Sequence, residues 1–385
     1  MILGSERLLA STRLNGLCVG VVANPASIDG AFRHVLDRIA TRDGVRLGAI
    51  FGPQHGFRSD LQDNMIETPH AEDRARQVPI YSLYSETREP TAEMLAGLDA
   101  LVVDLQDIGA RIYTFVYTMA NCLRAARRHG LTVIVCDRPN PIGGIEVEGP
   151  TLERGFESFV GQFAIPMRHG MTIAELARLF NDHFGIGAAL EIVPMERWRR
   201  DMYWDQTRLP WVMPSPNMPT LDTAIAYPGT VLFEGVMLSE GRGTTRPFEL
   251  VGAPWIDADR FADAMNELEL PGAYFRPAAF QPTFQKHAQQ TCGGCQIHVL
   301  HRDDFRPVLT GVALIHMFRR FDPDRFAWRP PPYEYEHHKE PIDILAGSDV
   351  LRSQIETDTP LKAIVASWSR DQTEFDRIRR PYLLY

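Results

Sequence analysis

The chain has 385 residues, of which 44% are hydrophobic and 23% charged, the balance of a folded globular protein. A net charge of −9 with no lysine- or arginine-rich run argues against a nucleic-acid partner, and no apolar run reaches the length of a membrane span. The length exceeds what one core usually fills, so two domains are expected.

The first residues lack a basic region followed by a long apolar core. No signal peptide is therefore expected, and a cytoplasmic location is the default. Of the five cysteines, Cys18, Cys122 and Cys136 sit in apolar stretches, which fits buried thiols in a reducing compartment. Strand-like runs follow at Leu17–Ala23, Val45–Phe51, Ala100–Val103 and Leu131–Cys136. They alternate with helical patterns at Ala31–Thr41, Thr91–Gly97 and Tyr113–Arg128. That alternation predicts βα units and a mostly parallel sheet. The spacing predicts a further helix at Thr172–His183, opened by a capping box of Thr172 and Glu175, and then a strand at Ala189–Pro194. Gly52–Pro79 and Trp198–Glu249 read as long irregular, ordered and functional connections. The domain boundary is placed near residue 226, giving domains 1–225 and 226–385. The second part carries a strand at Gln296–Leu300, a helix at Pro307–Arg319 and a loop rich in Pro, Tyr and His at Arg329–Pro341.

Every early strand ends in a polar cluster, and open parallel sheets bind ligands beyond those ends. The first cluster holds Asn24. The second brackets Gln54 and His55 with glycines that let backbone approach a ligand; a tight turn with a satisfied histidine is the plainer reading. The third holds Asp104, Gln106, Asp107 and Arg111, either a binding site or a helix cap with an internal ion pair. The fourth, Asp137-Arg138-Pro139-Asn140-Pro141, runs into a stiff loop ending at Glu148, an acid whose partial burial would raise its pKa. His169 reads as an acid–base group or a helix cap. Asn217 stands between prolines as a rigid hydrogen-bond presenter. The densest cluster is Ser239–Glu249, where Glu240, Arg242, Thr244 and Arg246 form an anion-binding loop with an acid beside it. No dinucleotide fingerprint, Walker loop or nucleophile elbow is present, and Cys292-Gly-Gly-Cys295 alone makes a poor zinc site.

Several strings together resemble the exo-β-N-acetylmuramidase (NamZ) family of bacterial glycoside hydrolases. They include Gly52-Pro-Gln-His-Gly56, Gln106-Asp-Ile-Gly-Ala-Arg111, Asp137-Arg-Pro-Asn140, Arg168-His-Gly170, Pro214-Ser-Pro-Asn217 and Ser239–Glu249. The resemblance spans nearly the whole chain. It implies an α/β fold with a Rossmann-like N-terminal catalytic domain and a smaller α+β C-terminal domain that contributes a site loop. It implies release of N-acetylmuramic acid from the non-reducing end of peptidoglycan fragments, with a muropeptide or MurNAc–GlcNAc fragment as the partner and no metal or organic cofactor. Family members are often exported, which sets a periplasmic or secreted location against the cytoplasmic default.

One position departs from that family. Many members carry Glu where this chain has Gln54, and an amide cannot exchange a proton. Most glycosidases need two carboxyls flanking the bond. The candidates are Glu67, in the same loop, with Glu148, Glu234 and Glu240. Arg242 and Arg246 are the natural partners of the lactyl carboxylate of muramic acid. The competing readings are a sugar-binding protein that lost its acid and an α/β protein handling phosphosugars.

Overall fold

The computed structural model describes residues 1–63 and 65–385. It opens with α1 (Gly4–Ala10), β1 (Cys18–Ala23), α2 (Val35–Ala40), β2 (Arg46–Gly52), β3 (Ala71–Asp73) and β4 (Val78–Ser82). Then come α3 (Ala92–Leu95), β5 (Ala100–Asp104), α4 (Phe115–His129) and β6 (Thr132–Cys136). A short pair, β7 (Glu148–Thr151) and β8 (Pro166–Arg168), precedes α5 (Ile173–Arg178) and β9 (Ala189–Val193). Seven of these strands form one sheet in the order β3-β4-β2-β1-β5-β6-β9. All its pairings are parallel except β3 with β4.

The sheet explains the continuous apolar runs, because both of its faces are covered. Leu101 and Val103 of β5 point into one core, beneath α4 and α5, while Ala100 and Val102 point into the other, beneath α1 and α2. Strand β3 and the start of β4 lie in the stretch Gly52–Pro79, which was expected to be irregular. Val78, Ile80 and Ser82 alternate inward there, but five residues with a proline in second place make a weak sequence signal. Helix α2 is shorter than expected because His34 caps it, taking the Leu36 amide on its ring nitrogen. Thr172 and Glu175 close the capping box of α5, and the chain continues as a π-helical turn over Leu179–His183.

The second part holds α6 (Leu221–Thr230), β10 (Leu250–Ala253), α7 (Ala258–Asn266), β11 (Ala273–Phe280) and β12 (Cys292–Val299). It ends with α8 (Pro307–Phe321), α9 (Pro341–Ala346), α10 (Val350–Glu356) and α11 (Leu361–Arg379). Its three strands pair antiparallel in the order β10-β12-β11. Helix α6 lies where loop was expected, since Pro228 and Gly229 in its last turn read as breakers. Those small residues serve a crossing with α8. A Cβ on Gly229 would stand 1.7 Å from the Pro307 carbonyl oxygen, and one on Gly311 would stand 2.2 Å from the Gly229 oxygen. The larger apolar core runs without a break from Val103 and Phe115 to Phe233 and Phe318. All five cysteines are free and buried. Among the described residues no helix is long and apolar enough to cross a membrane.

Candidate active site at the strand ends

The chain leaves β1 towards β2 and β4 on one side and later returns to β5 on the other. That reversal leaves a crevice beyond the carboxyl ends of β1 and β5. A narrow pocket with about 490 Å³ of atom-free space, mouth included, lies there. The β2 loop gives Gln54 and His55, the β5–α4 turn gives Ile112–Phe115, and Ser215, Asn217 and Met218 lie across the strand ends. The second part closes the pocket with Tyr227, Glu234, Arg242, Phe248, Tyr333 and Glu334.

Two carboxyls in this pocket have contrasting surroundings. Glu334 is buried; Tyr84 Oη donates to one of its oxygens at 2.8 Å and Gln54 Nε2 to the other at 3.3 Å. Burial, with the nearby charge of Glu234, pushes its pKa up to about 7 against the pull of those two donors. Its backbone is left-handed, φ 45°, and Tyr335 follows at φ 69°. Paired non-glycine residues in that region store strain and cluster at functional sites. Glu234 instead accepts from Arg242 Nη2 at 2.7 Å and from Tyr333 Oη at 2.6 Å. Burial works against the charge of Arg242, but Glu234 and Glu240 hold its pKa above the ordinary value. The Nε and Nη1 atoms of Arg242 have no hydrogen-bond partner among the described residues. Glu240 pairs with Lys286 at 2.6 Å; burial opposes its charge, and Lys286 and Arg242 outweigh burial to keep its pKa low.

His55 completes the wall, also in left-handed backbone at φ 69°. Burial lowers its pKa to about 4, and the charge of Arg242 adds to that. The ring is therefore neutral near pH 7. Its Nδ1 lies 2.8 Å from the Leu61 carbonyl oxygen, an atom that only accepts, so Nδ1 carries the proton and Nε2 keeps its lone pair.

The other residues singled out from the sequence divide into supports and bystanders. Asn24 donates to the Pro214 carbonyl at 2.8 Å and pins the segment that carries Ser215 and Asn217. Asn217 lines the pocket and donates to the Gln62 carbonyl. The remaining clusters face inward, away from the pocket. Arg138 pairs with Asp104 at 2.6 Å, both buried. Asp107 accepts from the Gly109 amide and stands 3.2 Å from His169. Arg111 donates to the carbonyls of Pro150, Ile165 and Leu345, tying both parts of the chain together. Asp137 accepts from the Ala174 amide, Thr172 and Tyr385, and Asn140 bridges Ile142 and Met171. Strand ends need polar closure as well as ligands, and sequence alone does not separate the two needs.

Three acids chosen from the sequence lie outside the pocket wall. Glu148 accepts the Leu309 amide at the start of α8, where burial pushes its pKa up to about 7. Glu67 sits half-exposed, bonded by Tyr335 Oη and Arg88. Glu240 stands behind Arg242, at 3.8 Å. In the same loop, Thr244 folds back on the Gly241 carbonyl, and Arg246 is exposed and pairs with Glu249. Sequence reasoning missed Glu334, Tyr333 and Tyr84. The signal was Tyr333-Glu334-Tyr335 behind three prolines, an acid between two aromatics on a stiffened loop.

Fold and pocket define an α/β protein whose switch-point crevice is closed by a second lobe that brings in carboxyls and an arginine. The chain belongs to the exo-β-N-acetylmuramidase NamZ family: the N-terminal family model matches residues 19–222 and the C-terminal model residues 225–385. It is 43% identical over 373 residues to the peptidoglycan β-N-acetylmuramidase NamZ of Bacillus subtilis (strain 168), covering 97% of this chain and 88% of that one. Two crystal structures of DUF1343 family proteins from Bacteroides fragilis NCTC 9343 share the fold, each covering 100% of this chain and 98% of theirs. One has a TM-score of 0.90 at 33% identity, the other 0.76 at 27%.

Proposed function

We propose that this protein is an exo-acting β-N-acetylmuramidase that releases N-acetylmuramic acid from the non-reducing end of peptidoglycan fragments. Family membership supports the activity. The observation that carries the chemistry is the pair of unlike carboxyls, Glu334 raised to about 7 and Glu234 held by Arg242 and Tyr333. Glycoside cleavage needs that asymmetry, one carboxyl protonated and one ionised.

In this reading Glu334 protonates the leaving oxygen. Glu234, paired with Arg242 at 2.7 Å, faces the positive charge that builds at the anomeric carbon. His55 offers the Nε2 lone pair to a sugar hydroxyl or to the attacking water. The unpaired N–H groups of Arg242 take the lactyl carboxylate. Gln54 serves the acid by donating to it and accepting from Thr114 at 2.8 Å. The family models and the 43% identical peptidoglycan β-N-acetylmuramidase weigh against a phosphosugar reading.

Glu334→Gln keeps the shape and removes the proton. A general acid contributes about 10²–10⁴-fold, so turnover of MurNAc-β-1,4-GlcNAc should fall by that factor. An aryl muramide, whose leaving group needs less protonation, should lose far less. Glu67→Gln and Glu148→Gln should keep disaccharide turnover within about threefold of wild type. Full activity of Glu334→Gln on the disaccharide would remove Glu334 from the acid role.

A further inference from the structure

A second groove shares the acid with the pocket. It has about 960 Å³ of space, mouth included, and its lining includes Glu334, Tyr335, Phe159, Arg88, Asn121 and Glu67. Two neighbouring pairs straddle the boundary. Val160 lines the pocket and Phe159 the groove; Glu334 lines both, and Tyr335 the groove alone of these two. Glu334 is common to both linings, its carboxyl bonded to Gln54 of the pocket and to Tyr84 beside the rings of the groove.

An acid that protonates a glycosidic oxygen touches the atom joining two sugars. If one sugar fills the pocket, the other must lie on the far side of that acid. We infer that this groove is the leaving-sugar subsite, with Tyr335 and Phe159 as its stacking platform; this rests on the muramidase reading above.

The groove is built as such a platform. Tyr335 is 48% exposed and Phe159 half-buried, with Tyr84 between them at ring separations of 6.2 and 5.2 Å. The guanidinium of Arg88 lies over all three rings, 4.2 Å from Tyr84, 4.6 Å from Tyr335 and 5.5 Å from Phe159. Glu67 fixes Tyr335 through its hydroxyl at 3.2 Å and pairs with Arg88 at 3.4 Å. Arg88 takes one face of each ring, and the exposed part of Tyr335 is what the C–H face of a pyranose would meet. The groove's acids have basic partners, Glu67 with Arg88, Glu89 with Arg128 and Glu86 with His70, which suits a neutral sugar such as N-acetylglucosamine.

The test compares MurNAc-β-1,4-GlcNAc with methyl β-N-acetylmuramide, which keeps the bond and its need for an acid but has no leaving sugar. Binding energy spent on a remote group appears in kcat/KM only when that group is present. Phe159→Ala and Tyr335→Ala should each lower kcat/KM on the disaccharide about tenfold or more. On the methyl glycoside the loss should stay below about threefold. Tyr335→Phe keeps the ring and should retain most disaccharide activity, which separates stacking from a disturbed Glu334. Equal losses on both substrates, or none on the disaccharide, would overturn the subsite while leaving the muramidase reading intact. A wild-type protein that cleaves neither substrate would overturn both.

Discussion

Burial raises the proton affinity of Glu334, and the groups around it can be altered one residue at a time. Its Oε1 accepts from the Gln54 amide at 3.3 Å. Gln54→Glu would put a second carboxyl at that distance, and two adjoining carboxyls resist double ionisation. The pair should share a proton, and the alkaline limb of the kcat/KM profile should move up by about one pH unit or more from its wild-type position near 7. An unmoved limb would mean that Glu334 does not set it. The wild-type sign follows from the same residue: the acid is active when protonated, so activity falls as pH rises through about 7. Arg242 gives a second residue-scale expectation. Arg242→Lys keeps the charge beside Glu234 but loses the planar fork that meets a carboxylate. Loss of one partner in a buried charged hydrogen bond costs roughly 2–5 kcal/mol. Binding of muramic acid should weaken much more than binding of N-acetylglucosamine, read by calorimetry on both free sugars; equal losses would make Arg242 a purely structural partner of Glu234.

At the scale of elements, the sequence revealed the sheet better than the site. Five strands of the sheet and their order along the chain were legible; the first four are continuous apolar runs because both faces of the sheet are buried there, while β9 is an edge strand. The loops that end them were legible as polar. Which of them face a ligand was not, because Asp104, Asp137 and Arg111 use the same residue types to close the scaffold. The decisive contacts are also remote in sequence: Gln54 meets Glu334 across 280 positions and Tyr84 meets it across 250. Glu148 shows the ambiguity in one residue. Its burial and raised pKa mark a catalytic acid by sequence criteria, yet it caps α8, taking the Leu309 amide at 2.8 Å behind Pro307 in the first turn. Glu148→Ala should therefore cost about 1–2 kcal/mol of stability, the usual loss of a helix cap, and leave kcat nearly unchanged. Thermal unfolding and turnover measured on one preparation would check this. A stable but inactive variant would return Glu148 to the chemistry.

The whole molecule is held shut by the return of its second part to the sheet of the first. Helix α11 brings Arg379 onto the carbonyls of Gly144, Ile145 and Gly170, and Tyr385 Oη donates to Asp137 at 2.8 Å. Asp137 stands at the end of β6, fully buried, and also accepts from Thr172 and Ala174. Burial, with the charge of Glu175, raises its pKa from 3.8 to about 7 in spite of those donors. The folded state therefore holds this proton more tightly than the unfolded chain does. Its contribution to stability is complete below about pH 4, declines above that, and is gone once pH passes about 7. Glu148 and Glu334 are raised for the same first reason and act with the same sign. Stability should thus fall between about pH 5 and 8, where acidic proteins with ion-paired carboxylates are usually flat. Asp137→Asn carries no titratable proton and should flatten this slope without abolishing it. The difference should reach a few kcal/mol, since each tenfold gain in proton affinity on folding is worth about 1.4 kcal/mol. Denaturant midpoints at about pH 5 and pH 8 for both proteins would decide it. Parallel losses would mean that Asp137 stays ionised throughout and that its hydroxyl and amide donors outweigh burial.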